Sequence, residues 1–371
     1  MTPFESLRVL RVLALIALAC FGAPALAHDD AATAAEHSLH QALSQRPRDP
    51  VIAVLALNEG TETTDFLVPY ALLKRAGFSQ VHAVALGNGD VTLMPALRIV
   101  PDMTTAAFDA RYARGADIVI VPAMHADDDP RVLQWLREQA GHGAMIVGIC
   151  SGARVLSQAG LLKGRRFTGH WYDRDMLRKS NPTARYVPDV RYLFDDGVVT
   201  TTGVSASIPL SLALVDGLSG HERAAAVAQS LGVEDWSARH VSSGFALNAR
   251  RLWTVIGNTL TPWRHETMAI PVADGVDDLS LALTADAWSR TWRSTVVATA
   301  TDGRVRMRSG LQLVTVPEAP RSSTTLTLPA NVDVQTQFLQ TLTAIATRYG
   351  HAERDMVQLA LEYTPPDAPK R

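Results

Sequence analysis

The stretch from Ala144 to Leu162 constrains the chain more than any other. Met145 to Ile149 is a short apolar run of the length of a buried strand. The pattern turns helical at once, with Ala153, Val155, Leu156, Ala159, Leu161 and Leu162 ahead of Gly164. Between the two lies Gly148-Ile149-Cys150-Ser151-Gly152. A sharp strand-to-helix turn with small neighbours pushes its central side chain into the open above a sheet, the mechanics of a nucleophile elbow built on serine. Here the centre is Cys150. A thiol at a helix N-terminus faces unpaired N–H groups and the positive end of the dipole. Both favour thiolate and lower the thiol pKa, against which a nearby ionised carboxylate would act. The alternative is an inert core cysteine, the usual fate of a lone one.

The rest of the first half supplies a sheet for that elbow. Val51 to Leu57 is apolar without alternation, as in a strand buried on both faces. Thr64 or Asp65 can cap a helix from Phe66 to Ala76, which stops at Gly77. Val81 to Leu86 and Ala116 to Val121 read as further strands, and Asn88-Gly89 is a hairpin signal. Asp129-Pro130 starts a helix, and Val198 to Gly203 leads through a glycine turn into another over Ile208 to Leu218. Strands alternating with helices imply a parallel sheet covered on both faces, with ligands at the carboxyl ends of its strands. Gly60, Pro122 and Cys150 each follow a strand end, so their loops converge there.

These segments resemble the ThiJ/PfpI superfamily, the class I glutamine amidotransferase-like fold. The run from Gly148 through Gly169-His170-Trp171 looks most like the sensory domain of AraC-type regulators and like isocyanide hydratases, and the resemblance spans about residues 50–250. It implies an α/β, flavodoxin-like three-layer sandwich with a mostly parallel sheet and a nucleophile elbow. Matching Gly60 and Pro69 to the family places its cysteine-contacting acid at Asp65, not at Glu59 or Glu62; a plain helix cap is the local alternative. His170 matches a Thr-Thr-His segment of the relatives. Ser151 stands where many protease-like relatives carry a histidine base, which argues against a peptidase and leaves Ser151 as a hydrogen-bond donor or helix cap. Ala123-Met124 replaces the family's Gly-Gly after Pro122, which speaks against an oxyanion site built from open backbone there.

The implied function is a cysteine-dependent small-molecule hydrolase or hydratase, or a descendant of one. Cys150 is its nucleophile, with Asp65, Ser151 and His170 beside it. A non-catalytic ligand-binding module and a thiol redox sensor are the alternatives. The partner is a small molecule; no cofactor or metal is expected. His125 with Asp127, Asp128 and Asp129 matches no metal-ligand spacing and reads as a solvated helix start. A net charge of −2 gives no basic surplus for nucleic acid.

Both flanks carry their own expectations. Arg8 and Arg11, the apolar run Val12 to Ala19, Pro24 and Ala25-Leu26-Ala27 read as a signal peptide over residues 1–27, cleaved before His28. The chain is then periplasmic or secreted, with no stable membrane insertion; an uncleaved membrane anchor is the alternative. Cleavage removes Cys20 and leaves Cys150 alone, so no intrachain disulfide is expected. Residues 28–49 read as a linker or short helix. Beyond residue 250, Met268 to Trp288 echoes Ile52 to Val68, Val296 to Val305 echoes Val84 to Val91, and Gly350-His351 echoes Gly220-His221. Residues 263–366 thus read as a truncated, site-less repeat with Ser280 at the place of Asp65. It is expected to pack on the first domain, covering a sheet edge or making a homodimer contact.

Overall fold

The computed structural model describes residues 23–246, 254, 257–258 and 261–364. Its first element is helix α1 (Ala23–Ser44). The stretch expected as a linker is thus largely helix, and Ala32, Ala35, Leu39 and Leu43 bury one stripe of it in the core. The spacing of those four is the helical one, masked in the sequence by the many alanines around them.

The apolar runs become strands, in chain order β1 (Ile52–Ala56), β2 (Thr61–Glu62), β3 (Val81–Ala85), β4 (Val91–Met94), β5 (Arg98–Val100), β6 (Met103–Thr104), β7 (Ile118–Val121), β8 (Met145–Gly148), β9 (Arg166–Phe167), β10 (Arg185–Tyr186), β11 (Tyr192–Asp195) and β12 (Val198–Thr201). Helices α2 (Thr63–Arg75), α3 (Thr105–Arg111), α4 (Pro130–Gly141), α5 (Gly152–Gln158), α6 (Arg174–Ser180), α7 (Ser207–Ser219) and α8 (His221–Leu231) lie among them. Seven strands form the main sheet in the order β11-β12-β8-β7-β1-β3-β6, parallel except for β11.

Successive residues of β1 serve opposite faces. Ile52, Val54 and Ala56 join one core, with α1, α2 and α7; Ala53 and Leu55 join the other, with α4 and α5. That is the three-layer sandwich, and it explains why the central strands read as continuous apolar runs. Asn88-Gly89 does not make a hairpin: β3 pairs with β1 and β6, while β4 leaves the main sheet to pair with β5 and β2. Gly89 (φ +98°) supplies the turn that leads the chain out.

The second half contributes β13 (Glu266–Pro271), β14 (Ser294–Thr299), β15 (Arg304–Arg306), β16 (Gln312–Val314) and β17 (Thr324–Thr325), with α9 (Asp278–Ser289), α10 (Val334–Tyr349) and α11 (His351–Ala360). Strands β14-β13-β17 form a parallel three-stranded sheet. The β15–β16 hairpin adds to β5, giving a five-stranded sheet β15-β16-β5-β4-β2 shared by both halves. Helix α9 packs along α2.

Candidate functional site around Cys150

Two glycines flank the elbow, and at Gly152 a larger residue would meet backbone. A Cβ on Gly148 would lie 2.9 Å from Leu156 Cδ2. One on Gly152 would lie 2.0 Å from the Val121 carbonyl oxygen, because α5 starts against the end of β7. Cys150 sits between them in the left-handed region (φ +53°), a conformation uncommon for a side-chain-bearing residue and concentrated at functional sites. Its N–H donates to Thr201 Oγ1 at 3.0 Å, tying the elbow to the end of β12.

Cys150 is a free, buried thiol, 7% exposed. The expected acidity is not found. Burial pushes the thiol well above its ordinary value; the carboxyls of Asp65, Glu62 and Asp173 push the same way, and Arg290 alone of the principal neighbours opposes them. Desolvation of the charged form outweighs whatever a seven-residue helix such as α5 supplies at its N-terminus.

Asp65 lies in the first turn of α2 and is fully buried. It does not cap that helix. Glu62 does, its Oε2 accepting the Asp65 N–H at 2.5 Å, so the helix starts at Thr63. Asp65 Oδ2 accepts the Ala123 N–H at 3.3 Å, while Oδ1 is buried with no hydrogen-bond partner. Burial first, with a push from Asp286, raises this carboxyl to about 7 against the pull of the Ala123 N–H, Arg290 and the hydrogen bond to Glu62. Glu62, which sequence reasoning set aside, belongs to the same cluster and is also pushed up by burial.

The second half reaches into this cluster. Arg290, just past α9, donates to Glu62 Oε1 at 2.6 Å through one nitrogen and to Asp286 Oδ1 at 2.7 Å through Nε. Asp286 Oδ2 accepts from Thr64 Oγ1 at 3.0 Å. The second half has no elbow of its own among the described residues, yet it is not a bystander to the first half's site.

Ser151 and His170 are placed differently from Asp65. The Ser151 hydroxyl donates to Asp173 Oδ2 and does not cap α5. Asp173 also faces Arg154 NH1 at 3.7 Å. His170 is buried, and burial pushes its pKa down against the upward pull of Glu362 and Asp173. Its neighbour is Glu362, at the far end of the chain. Glu362 Oε2 accepts the Gly203 N–H at 2.7 Å and the Trp171 N–H at 3.4 Å, and Oε1 meets His240 Nε2 at 2.9 Å. His170 therefore sits with the chain end, on the rim beside β12, and no direct bond links it to Cys150.

Ala123 and Met124 fill the place of the family's two glycines. Met124 is buried in the core beneath α4, and the Ala123 N–H is committed to Asp65. His125 is exposed and Asp129 caps α4, accepting from Arg131 N–H and Val132 N–H. Among the described residues no cluster of His, Cys, Asp or Glu has metal-holding geometry.

The sequence pattern of the DJ-1/PfpI family matches residues 51–217. The isonitrile hydratase of Pseudomonas putida is 32% identical over 165 residues, which are 43% of this chain and 68% of that enzyme. The Parkinson disease protein 7 homolog of Danio rerio is 28% identical over 188 residues, 49% of this chain and 97% of that protein. The HTH-type transcriptional regulator CdhR of Pseudomonas aeruginosa is 32% identical over 134 residues, 34% of this chain and 40% of the regulator. The residues matched by the family pattern include Cys150, Asp65 and His170.

Proposed function

The chain belongs to the DJ-1/PfpI family, and on that premise we propose that it is a cysteine-dependent small-molecule enzyme of the hydrolase or hydratase kind, or a descendant of one. Cys150 is the nucleophile and Asp65 its proton partner. The observation that carries this is the Asp65 carboxyl: buried, with one oxygen unpartnered, and poised near 7 beside a thiol that is neutral at rest. A neutral thiol needs its proton removed as the sulfur attacks. A base whose pKa lies near the working pH is best matched to take that proton and to return it. As the sulfur–carbon bond forms, the thiol proton passes to the ionised Asp65, and the electron pair displaced from the electrophilic carbon moves onto the substrate's own atoms. Water then bonds to the same carbon as the sulfur–carbon bond breaks; one water proton goes to the substrate atom that took the electron pair, the sulfur leaves as thiolate, and Asp65 returns its proton to that sulfur.

The protonated thiol argues against a peroxide sensor, which needs thiolate. A ligand-binding module is the second reading, favoured by Ala123, whose N–H is spent on Asp65 and cannot serve a developing oxyanion. Export belongs to the same proposal and rests on the residues before His28. The packed stripe of α1 begins at Ala32, so cleavage after Ala27 leaves it whole. Among the described residues no helix is long and apolar enough to cross a membrane.

The test is turnover of an isonitrile, an activated ester and a glycated amine by the wild type and by Cys150→Ser. Turnover lost in the variant supports the enzyme. No turnover of any of the three, with tight binding of one, favours the ligand-binding module.

A further inference from the structure

We infer that the second half stands in, within one chain, for a second copy of the first, and that Arg290 is its contribution to the Cys150 site, as a positioning residue for Glu62 and Asp65. The argument begins from which residues meet. Counted from Gly60 in one half and Gly275 in the other, Glu62 and Asp277 hold the same place, as do Asp65 and Ser280, and Arg75 and Arg290. Across the seam, Arg290 pairs with Glu62 and Arg75 pairs with Asp277. Each residue meets the counterpart of its counterpart's partner. That reciprocity is the mark of an isologous, two-fold contact.

Three further features repeat the relation. Glu62 caps α2 through the Asp65 N–H and Asp277 caps α9 through the Ser280 N–H, so the paired carboxylates do the same local work. The two capped helices pack on each other. At the strand seam, antiparallel β5 and β16 pair Ile99 with Leu313, and these hold matching places in their halves: β4 sets Val91 opposite Ile99, and β15 sets Val305 opposite Leu313. A residue paired with its own counterpart lies on the pseudo-two-fold axis.

The two ion pairs are not equal in consequence. Arg75–Asp277 borders Ser280. Arg290–Glu62 borders Asp65 and Cys150, and Asp286 holds the guanidinium from the other side. Alanine (Ala71) occupies the place of Asp286 in the first half, so the brace exists only where the cysteine is. Among the principal charges acting on Glu62, Asp65 and Cys150, Arg290 is the cation common to all three.

This inference rests on the Asp65–Cys150 site just proposed, but its test needs no turnover and no reagent access to the thiol. In the full chain, the Asp65 carboxyl is titrated by infrared difference against Asp65→Asn. Arg290→Gln is expected to raise its midpoint by about one pH unit or more, a tenfold change in ionisation constant. Arg290→Lys restores it to within about half a unit, and Arg75→Gln leaves it in place although it breaks the mate pair. Should glutamine at 290 prevent folding, Arg290→Met keeps the stem volume and removes the charge. A midpoint unmoved by loss of the Arg290 charge, or moved equally by Arg75→Gln, overturns the positioning role. Sedimentation of the full chain is expected to give a single-chain mass, and a stable two-chain mass overturns the substitution of one half for a subunit.

Discussion

Replacing Asp65 by asparagine removes an acid that the fold holds far from its preferred state. The carboxyl is fully buried and sits at about 7 in the folded chain against an ordinary 3.8. Its folded value lies above its unfolded one. The stabilising contribution is therefore complete below the unfolded pKa and is lost as pH rises through about 7. Each unit of separation is worth about 1.4 kcal/mol, so the whole span corresponds to ~4 kcal/mol, of which ~2.5 kcal/mol is lost between about pH 5 and pH 8. Asparagine keeps an acceptor for the Ala123 N–H and cannot ionise. Urea denaturation of both proteins at about pH 5 and pH 8 measures the difference. Wild type is expected to lose ~2.5 kcal/mol relative to the variant across that interval. Parallel losses, agreeing within ~0.5 kcal/mol, would refute the picture of a strained buried acid and remove the base from the proposed reaction.

Two further outcomes follow from the same geometry. Cys150 is expected to react slowly with iodoacetamide near neutrality, with a rate that climbs through the alkaline range; a plateau near neutrality would refute the upward push of burial on the thiol. Gly152→Ala brings a Cβ against the Val121 carbonyl oxygen and is expected to cost about 3 kcal/mol or more in denaturant, since backbone stands on both sides of the clash; a loss under ~1 kcal/mol would mean that α5 can shift and that the elbow is not fixed.

The elbow and the sheet were legible because their causes are local. Apolar runs, flanking glycines and the Asp129-Pro130 start each act within a few residues of where they stand. The cluster around Cys150 was only half legible. Asp65 came from matched landmarks, but Glu62 and Arg290 are 228 residues apart, and no window of sequence joins them. The spacing held the signal: counted from Gly60 and Gly275, Glu62 with Asp277 and Arg75 with Arg290 occupy matching places, with charges that complement across the halves. Asp173 and Glu362 offered no such cue, since a carboxylate reaching a serine hydroxyl or a backbone N–H leaves no pattern of its own. The sign of the thiol's shift was misjudged for a plainer reason. A strand-to-helix turn announces a helix end, but the depth at which the turn lies is fixed by what packs over it, and burial proved the larger effect.

The seam between β5 and β16 has a consequence for how such a molecule changes over time. In an assembly of identical chains, every substitution lands on both sides of the axis at once, so a residue good for one side must be tolerated by the other. Under the proposed two-fold relation, a single chain that holds both halves escapes that rule. One side could keep aspartate at 65 while the other took serine at 280, and one could set Asp286 behind its arginine while the other kept Ala71. Tethering also holds the two sides at a fixed effective concentration, so dilution does not separate Arg290 from Glu62 as it would separate two subunits. On the proposed two-fold relation, the contact between Arg290 and Glu62 therefore does not depend on protein concentration.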